Sequence, residues 1–449
     1  MKQSAVIINK TVECGSVPVA ELQDNIFRIS GKAAAVYYKP EGFDENNLES
    51  LKKRAIEEAA RENYSIFEHD CITFKLNTSK IMGMVLKSMN FYNSTEKSTR
   101  YTMLELETDI EKEIYAKWKN IFEKLVRSYY GDFYTEDDIQ KHAMENARYF
   151  TSIFTPTTMI YTVPFSRAVL LSQWLKSLSE LMGNVNVNVG NNEVNLDYNW
   201  VYGRFATECG ELADVIGEAI GVYNFGDIIT NTINDGVEFF RVANYILKTK
   251  DIVAKDEDLQ KKEIGDLYKD SIKEDFYSDC YISNYKASFV AVSQMETHRA
   301  LHYSIDIPVH CVQPYIPKII RGSAYEVQWR EDFQKLLDMQ ILPQATLLEV
   351  SECGRFEDFY MKCKQRLCSK SQLEITEITR DQVVKFAKYS SNLSGMNQIL
   401  LGNMIRKGPG VNWKKPETVI VESRCKFADF HCDNPCKIKN DTINYFRNI

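Results

Sequence analysis

The segment from Asn63 to Tyr101 constrains the fold more than any other part of the chain. Apolar and polar side chains alternate loosely from Asp70 to Leu76, which predicts a strand. The residues from Ser79 to Met89 place their apolar side chains on one face of a helical pattern. Ser98 and Arg100 follow in a polar stretch, so a hydroxyl and a guanidinium should project together from a loop. Such a pair suits a phosphate or a pyrimidine carbonyl as ligand.

The order of these pieces resembles the flavin-dependent thymidylate synthases, whose signature reads Arg-His-Arg-x-x-Ser-x-Asn-x-x-Ser-x-Arg-Tyr. The last part of the signature is present as Glu96, Ser98, Arg100 and Tyr101, and Ser65 belongs to the preceding Ser-x-Phe-Glu-His. The first triplet is replaced by Ser88-Met89-Asn90. The resemblance implies that Ser98 and Arg100 bind the substrate and that Ser65 and Glu96 bind the flavin.

The pattern begins again in the second part of the chain. An offset of 209 residues places Phe276 against Phe67 and Cys280 against Cys71 without a gap. The same offset sets Thr297-His298-Arg299 against the altered triplet, so two of its three family residues are present, with Gln294 three residues earlier. By resemblance His298 and Arg299 bind flavin and Gln294 binds substrate. The counterpart of Ser-x-Arg-Tyr is Ile307-x-Val309-His310.

Two later motifs are also divided between the copies. Ala147-Arg148 stands at the family's Ala-Arg in the first copy, where Leu175 replaces a later family Arg. In the second copy Arg366 precedes Ser371-Gln372-Leu-Glu374-Ile375, which matches the family's Arg-x-x-x-x-Ala-Gln-Trp-Glu-Ile. The resemblance implies that Arg148 and Arg366 bind the nucleotide. Simpler interpretations stay open: Arg148 on a helix surface, His298 satisfied at a helix end, and Gln372 and Glu374 bonded within their own helix.

The chain length sets the domain organisation. At 449 residues two domains of about 200 residues are expected. We expect an α+β fold in two tandem copies of the synthase fold, each a mixed sheet with long helices. The copies span 1–225, which keeps the nucleotide-side residues, and 226–405, which keeps the flavin-side residues; 406–449 is a cysteine-containing extension. Ala33 to Tyr38 and Asn46 to Arg61 predict a helix pair, and residues 1–30 predict strands and turns.

Because each copy has lost what the other keeps, the sequence predicts composite sites. The family resemblance implies a homotetramer with sites between subunits, and such sites can be divided after duplication. We therefore expect a homodimer that mimics the family tetramer.

Composition narrows the class of protein. The net charge of -7 argues against broad adhesion to nucleic acid or membranes. The absence of a long apolar run and of a secretory signal predicts a cytoplasmic protein. Eleven cysteines are then mostly small buried side chains of a reducing compartment. Cys425, Cys432 and Cys436 match no familiar zinc spacing, so no metal is expected.

The resemblance implies the reductive methylation of dUMP to dTMP, with FAD as cofactor and methylenetetrahydrofolate and NADPH as co-substrates. It implies no obligatory side-chain nucleophile, so the protein orients and polarises its ligands. A related pyrimidine C5 transferase that delivers hydroxymethyl, and a non-catalytic nucleotide-binding or scaffold descendant, are the alternatives. A more distant one is a pyrophosphohydrolase, because Glu208 and Glu211 lie three residues apart on a predicted helix from Trp200 to Ala219.

Overall fold

The structure is a computed structural model. It describes residues 3–10, 13–14, 19–38, 47–59, 64–89, 92–100, 102, 105–132, 134–185, 196–221, 280–298, 301–306, 312–368, 371–390, 421, 423–427 and 430–431. We call the described residues up to 221 the first half and those from 280 onward the second half. Within these ranges no helix has both the length and the apolar character needed to cross a membrane.

The first half contains a five-stranded antiparallel sheet of order β2-β1-β3-β5-β4. Its strands are β1 (Ser4–Lys10), β2 (Glu13–Cys14), β3 (Cys71–Ser79), β4 (Asn93–Glu96) and β5 (Pro156–Pro164). Its helices are α1 (Val19–Tyr38), α2 (Leu48–Ala59), α3 (Lys80–Lys87), α4 (Asp109–Tyr130), α5 (Glu136–Ala147), α6 (Phe165–Gly183) and α7 (Tyr198–Ile220). The predicted strand, the helix that follows it and the long helix near residue 200 are therefore confirmed.

The prediction of strands and turns for residues 1–30 was wrong over α1, which begins at Val19 rather than near Ala33. Leu22 and Ile26 are four residues apart and buried, so they form the apolar face that a helix needs. Gly31 lies where α1 crosses α2, and a Cβ there would approach the carbonyl oxygen of Leu51 to 2.6 Å. The glycine is therefore a packing residue within a helix, not a helix end.

The second half contains a three-stranded antiparallel sheet of order β6-β8-β7. Its strands are β6 (Cys280–Ser288), β7 (His302–Asp306) and β8 (Leu347–Arg355). Its helices are α8 (Phe289–Met295), α9 (Ala324–Asp338), α10 (Phe356–Arg366) and α11 (Leu373–Ser390). Together the halves form a mixed fold of small sheets and helices, as the α+β prediction requires.

The two sheets share a layout. β6, α8 and β7 each begin 209 residues after β3, α3 and β4, and β8 and α10 begin 191 residues after β5 and α6. The strand registers correspond as well, because Cys71 lies opposite Pro164 in the first sheet and Cys280 lies opposite Arg355 in the second. Both helices that follow the first long strand of a sheet are capped by a serine, Ser79 before α3 and Ser288 before α8.

The halves meet along a short backbone seam formed by residues 151–153 and 342–344. Ser152 and Pro343 lie opposite each other in an antiparallel bridge, and the two hydrogen bonds that flank the bridge measure 3.0 and 2.8 Å. One half donates the first of these bonds and the other half donates the second. The segments are 191 residues apart in sequence, so they exchange bonds as two copies of one segment do across a two-fold axis.

An aromatic core continues from the seam into both halves. The Trp118 ring of α4 meets the Trp329 ring of α9 edge-on at 4.8 Å, and the Phe150 ring lies 4.1 Å from that of Trp329. All three side chains are fully buried. Trp118 Nε1 also donates to Asp332 Oδ2 at 2.7 Å. This packing holds the turn Arg148–Phe150 directly beside the second half.

Candidate functional site

A cavity of about 340 Å³ lies at the junction of the two halves. It is lined by β4 and the loop that follows it, by the start and end of α3, and by the end of α8. It brings together all five residues predicted to bind the substrate: Ser98, Arg100, Arg148, Gln294 and Arg366. Three come from the first half and two from the second. The volume is at the lower end of the range of small-molecule sites.

The loop after β4 positions Ser98 and Arg100. Ser98 Oγ accepts from the amide of Arg100 at 3.4 Å, and Thr102 Oγ1 donates to the carbonyl of Ser98 at 2.5 Å. Arg100 Nε lies 2.9 Å from Glu145 Oε1 in an ion pair. Burial by itself would raise the pKa of Glu145, but Arg100, His142 and Arg148 together outweigh it and lower this pKa to about 2. The charge of Arg100 is thus compensated within the protein.

Arg148 differs from Arg100, because its side chain is buried and its hydrogen-bond partners are neutral. Its side chain is 2% exposed, so the helix-surface interpretation was wrong. Nη1 donates to Thr99 Oγ1 at 2.9 Å and Nη2 donates to Gln372 Oε1 at 2.7 Å. No carboxylate among the described residues forms an ion pair with it. Desolvation lowers the pKa of this guanidinium, although it remains a cation.

A buried chain of hydrogen bonds supports Arg148 from the second half. Gln372 Nε2 donates to the hydroxyl of Tyr149 at 2.6 Å, and that hydroxyl donates to Glu374 Oε2 at 2.6 Å. Glu374 Oε1 in turn accepts from the amide of Ser288 at 2.7 Å. Gln372 and Glu374 therefore bond across to the first half, and the interpretation that they bond within their own helix was wrong.

Gln294 joins the same network at the cavity wall. With its amide oriented so that nitrogen faces an acceptor, its oxygen lies 2.7 Å from Arg148 Nη2 and its nitrogen lies 3.1 Å from Gln372 Oε1. A residue predicted from the second copy thus contacts an arginine predicted from the first.

Arg366 ends α10 and is held by the segment that ends α8. Its Nη2 donates to the carbonyl of Gln294 at 2.8 Å and to Thr297 Oγ1 at 3.0 Å, and its Nε donates to His298 Nε2 at 2.8 Å. As with Arg148, no ion pair to a described carboxylate is formed. Burial lowers its pKa from the ordinary value.

Two lysines that the sequence analysis missed form the opposite wall. Lys80 Nζ lies 2.5 Å from Glu96 Oε1, and Lys87 Nζ lies 2.7 Å from Glu96 Oε2. Burial would raise the pKa of Glu96, but the lysine charges and hydrogen bonds lower it to about 2. The lysines are seven residues apart, two turns of α3, so both face the same side. Two lysines at that spacing on an otherwise apolar helix are the sequence signal that could have identified them as site residues.

Two of the residues predicted to bind flavin, Glu96 and His298, already have protein partners. Glu96 is engaged on both oxygens by the lysines, and His298 is 8% exposed and accepts from Arg366. The buried site and the nearby cations lower the pKa of His298 to about 2, so the imidazole is neutral. Both residues are thus engaged by protein partners, and their contact with flavin stays a prediction. Ser65 lies in the turn Tyr64–Glu68, but its side chain is outside the described part, as is the whole of Arg299.

The charges around the cavity leave a positive surplus. Arg100 is paired with Glu145, and Glu96 compensates only one of Lys80 and Lys87. One ammonium and the guanidiniums of Arg148 and Arg366 are therefore not balanced by an ion pair with a carboxylate of the described residues. Buried charges are stable only when they are paired, so such a surplus is typical of a site that receives an anion.

The described residues include no group of three metal-binding side chains. Cys425 is exposed in the turn Arg424–Lys426, while Cys432 and Cys436 lie outside the described residues. Glu208, proposed above for a pyrophosphohydrolase, accepts from the capping Ser79 and pairs with Arg204. Glu263 and Asp266, which repeat the spacing of Glu208 and Glu211 in the sequence, lie outside the described part.

The chain was compared with known proteins. The structure of the flavin-dependent thymidylate synthase ThyX from Helicobacter pylori complexed with FAD and dUMP is 16% identical, with a TM-score of 0.28; the match covers 50% of this chain and 99% of that one. The UMP/dUMP methylase PolB from Streptomyces cacaoi, bound with 5-Br dUMP, is 15% identical, with a TM-score of 0.23, over 49% of this chain and 94% of that one. The comparison with curated proteins gave no match.

A family model matches part of the first half of the chain. The model of the thymidylate synthase complementing proteins matches residues 21–168. This segment includes Glu96, Ser98, Arg100 and Arg148, which form the first-half side of the cavity. The region from 21 to 168 of this chain is therefore similar to the thymidylate synthase complementing proteins.

Proposed function

We propose that the cavity binds dUMP and that the chain catalyses its reductive methylation to dTMP, with FAD as cofactor, methylenetetrahydrofolate as one-carbon donor and NADPH as reductant. The observation that carries the proposal is the pair of guanidiniums of Arg148, which is buried, and Arg366, which is half-buried. They come from different halves, and neither forms an ion pair with a carboxylate of the described residues. A nucleoside monophosphate supplies the missing negative charge.

The contribution of the protein in this proposal is orientation and charge. Arg100, Arg148 and Arg366 hold the phosphate and polarise the uracil carbonyls, and Ser98 adds a short donor. Fixed positive groups in a partly dry cavity favour electron density on the pyrimidine ring, which makes C5 nucleophilic. Glu96 and His298 are engaged by protein partners, so no step is assigned through them.

The proposal extends to the organisation of the chain. We propose a tandem duplication, with copies over 1–225 and 226–405 and an extension over 406–449, and with two chains forming a homodimer that has two composite sites. The common offsets of the two sheets and the exchange of bonds at the seam support it.

The pseudo-symmetric counterpart of the cavity supports it further. At the same offsets, the positions of Arg366, Gln294 and Gln344 are occupied by Leu175, Val85 and Ile153, all buried. The positions of Lys80 and Glu96 are occupied by Phe289 and Ile305, also buried. These positions of the second location are therefore apolar where those of the first are charged or polar, while Lys87 corresponds to Glu296. Among the described residues this supports one anion site in each chain.

A non-catalytic nucleotide-binding protein is the second candidate. It is favoured by Ser88 and Thr297, which replace the first Arg of the triplet in both copies, and by the engagement of His298 with Arg366. A related C5 transferase that delivers hydroxymethyl would use the same nucleotide contacts.

Three measurements on the full chain separate these candidates. Calorimetric titration should show binding of dUMP and much weaker binding of deoxyuridine, because only the former carries the phosphate. The visible absorption spectrum should show about one FAD per chain, which is the ratio that one composite site per chain requires. Product analysis with methylenetetrahydrofolate and NADPH should then yield dTMP. Binding of dUMP without any flavin would select the non-catalytic candidate, and no binding of dUMP would refute the proposal as a whole.

A further inference from the structure

Arg366 has one face fixed by the protein and one face toward the cavity. Nε and Nη2 donate to three acceptors of the segment 294–298, at distances from 2.8 to 3.0 Å. Among the described residues Nη1 has no protein partner, and the side chain lines the cavity. The guanidinium is planar, so fixing Nε and Nη2 also fixes the direction in which Nη1 points.

His298 supplies one of these three acceptors. Its Nε2 receives the Nε–H of Arg366, so Nε2 must carry a lone pair and the imidazole proton must be on Nδ1. The side chain is 8% exposed and is not part of the cavity lining. It therefore lies behind the arginine.

The backbone that carries Arg366 is anchored one turn earlier. Lys362 is four residues before it on α10 and pairs with Glu352 of β8 at 2.5 Å, with both side chains fully buried. Lys362 also donates to Gln382 Oε1 of α11 at 2.9 Å. With α10 fixed in this way, the guanidinium can be misplaced only by losing its own acceptors.

We propose that His298 is a positioning residue for substrate binding: its Nε2 holds the Arg366 guanidinium so that Nη1 faces the anionic group of the nucleotide. This role differs from the flavin contact that the family resemblance implies for the same histidine. It rests on the proposed function and deepens it, because it assigns His298 to the nucleotide side of the site.

The test uses two substitutions of His298 in the full chain. His298→Gln keeps an acceptor at a similar reach, and His298→Leu removes it. Both are made with Arg366 present and with Arg366→Met, and Kd for dUMP is measured by calorimetry. His302→Leu is the matched control, since His302 is exposed on β7. Thermal unfolding without ligand checks that each variant is folded, and absorption gives the FAD content.

We expect His298→Leu to raise Kd at least about tenfold, as for a lost hydrogen bond to a charged group. His298→Gln should stay within about threefold of the wild type, and His298→Leu should have no further effect when Arg366 is already Met. The inference is overturned if folded His298→Leu binds dUMP like the wild type, if the two losses add, or if only FAD content falls. A wild-type chain that binds no dUMP refutes the proposed function itself, and the inference falls with it.

Discussion

Replacing Glu96 by Gln should destabilise the folded chain strongly. Glu96 is the only carboxylate that pairs with Lys80 and Lys87 within the described residues, and the exposed fractions of the three side chains are 11%, 9% and 2%. A glutamine can accept from one lysine, but its amide then faces the other ammonium. Two desolvated cations would share a neutral partner, which is among the most costly arrangements in a protein interior.

Two estimates of the free energy that the charged Glu96 contributes to folding agree. Removing one partner of a buried ion pair costs about 3–5 kcal/mol. Lowering the pKa of Glu96 from 4.5 to about 2 corresponds to roughly 3 kcal/mol of preference for the ionised carboxylate in the fold. Because the folded pKa lies below the unfolded one, this stability is present above about pH 4.5 and is lost as the pH falls toward 2.

Denaturant unfolding followed by tryptophan fluorescence measures both effects, since Trp118 and Trp329 are fully buried. At pH 7 the Glu96→Gln chain should lose about 3–5 kcal/mol of unfolding free energy. Between pH 4.5 and 2 it should lose less additional stability than the wild type does. Glu136→Gln is the control, because Glu136 pairs with Arg127 at the surface and should make no measurable difference. A loss below about 1 kcal/mol for Glu96→Gln would show that the lysines are not buried with their charges.

Three further predictions follow from other buried groups. Arg148→Met should weaken dUMP binding at least about tenfold in calorimetry, because the cavity loses a cation that faces the phosphate, as for a lost hydrogen bond to a charged group; retained affinity would place the anion elsewhere. Burial raises the pKa of Glu296 to about 8, so its stabilising contribution is complete below about pH 4.5 and is lost as the pH rises through 8. The Glu296→Gln chain should therefore have a higher unfolding free energy than the wild type at pH 8 and the same unfolding free energy near pH 4.5. Parallel curves of unfolding free energy against pH would contradict this. Lys362→Met should cost about 3–5 kcal/mol, and adding Glu352→Leu should recover most of it; a double variant as unstable as the sum of the single ones would be inconsistent with a buried ion pair.

The sequence was sufficient for the local elements around the site. Alternation along β3 and the apolar face of α3 are signals within one element, and both elements form where they were predicted. The five residues predicted to bind the substrate were selected by motif spacing, and the structure brings them to one cavity; their role in binding stays a prediction.

The sequence was insufficient for the partners of those residues. Gln372 accepts a hydrogen bond from Arg148, which is 224 positions away in the sequence. Hydrophobic periodicity does not indicate a contact at that separation. Lys80 and Lys87 were not predicted as site residues, because they lie on an otherwise apolar helix; both are buried. Burial of a charged side chain depends on the opposing carboxylate, here Glu96, which comes from a neighbouring strand.

The seam between residues 151–153 and 342–344 has a consequence for how this chain can change. When two identical subunits meet across a two-fold axis, every substitution appears on both sides of the contact at once, so only changes that suit both sides survive. Here the two sides are separate stretches of one chain, and Ser152 already faces Pro343. Each side can therefore vary independently, which would permit the charged pocket and its apolar counterpart that the proposed duplication requires.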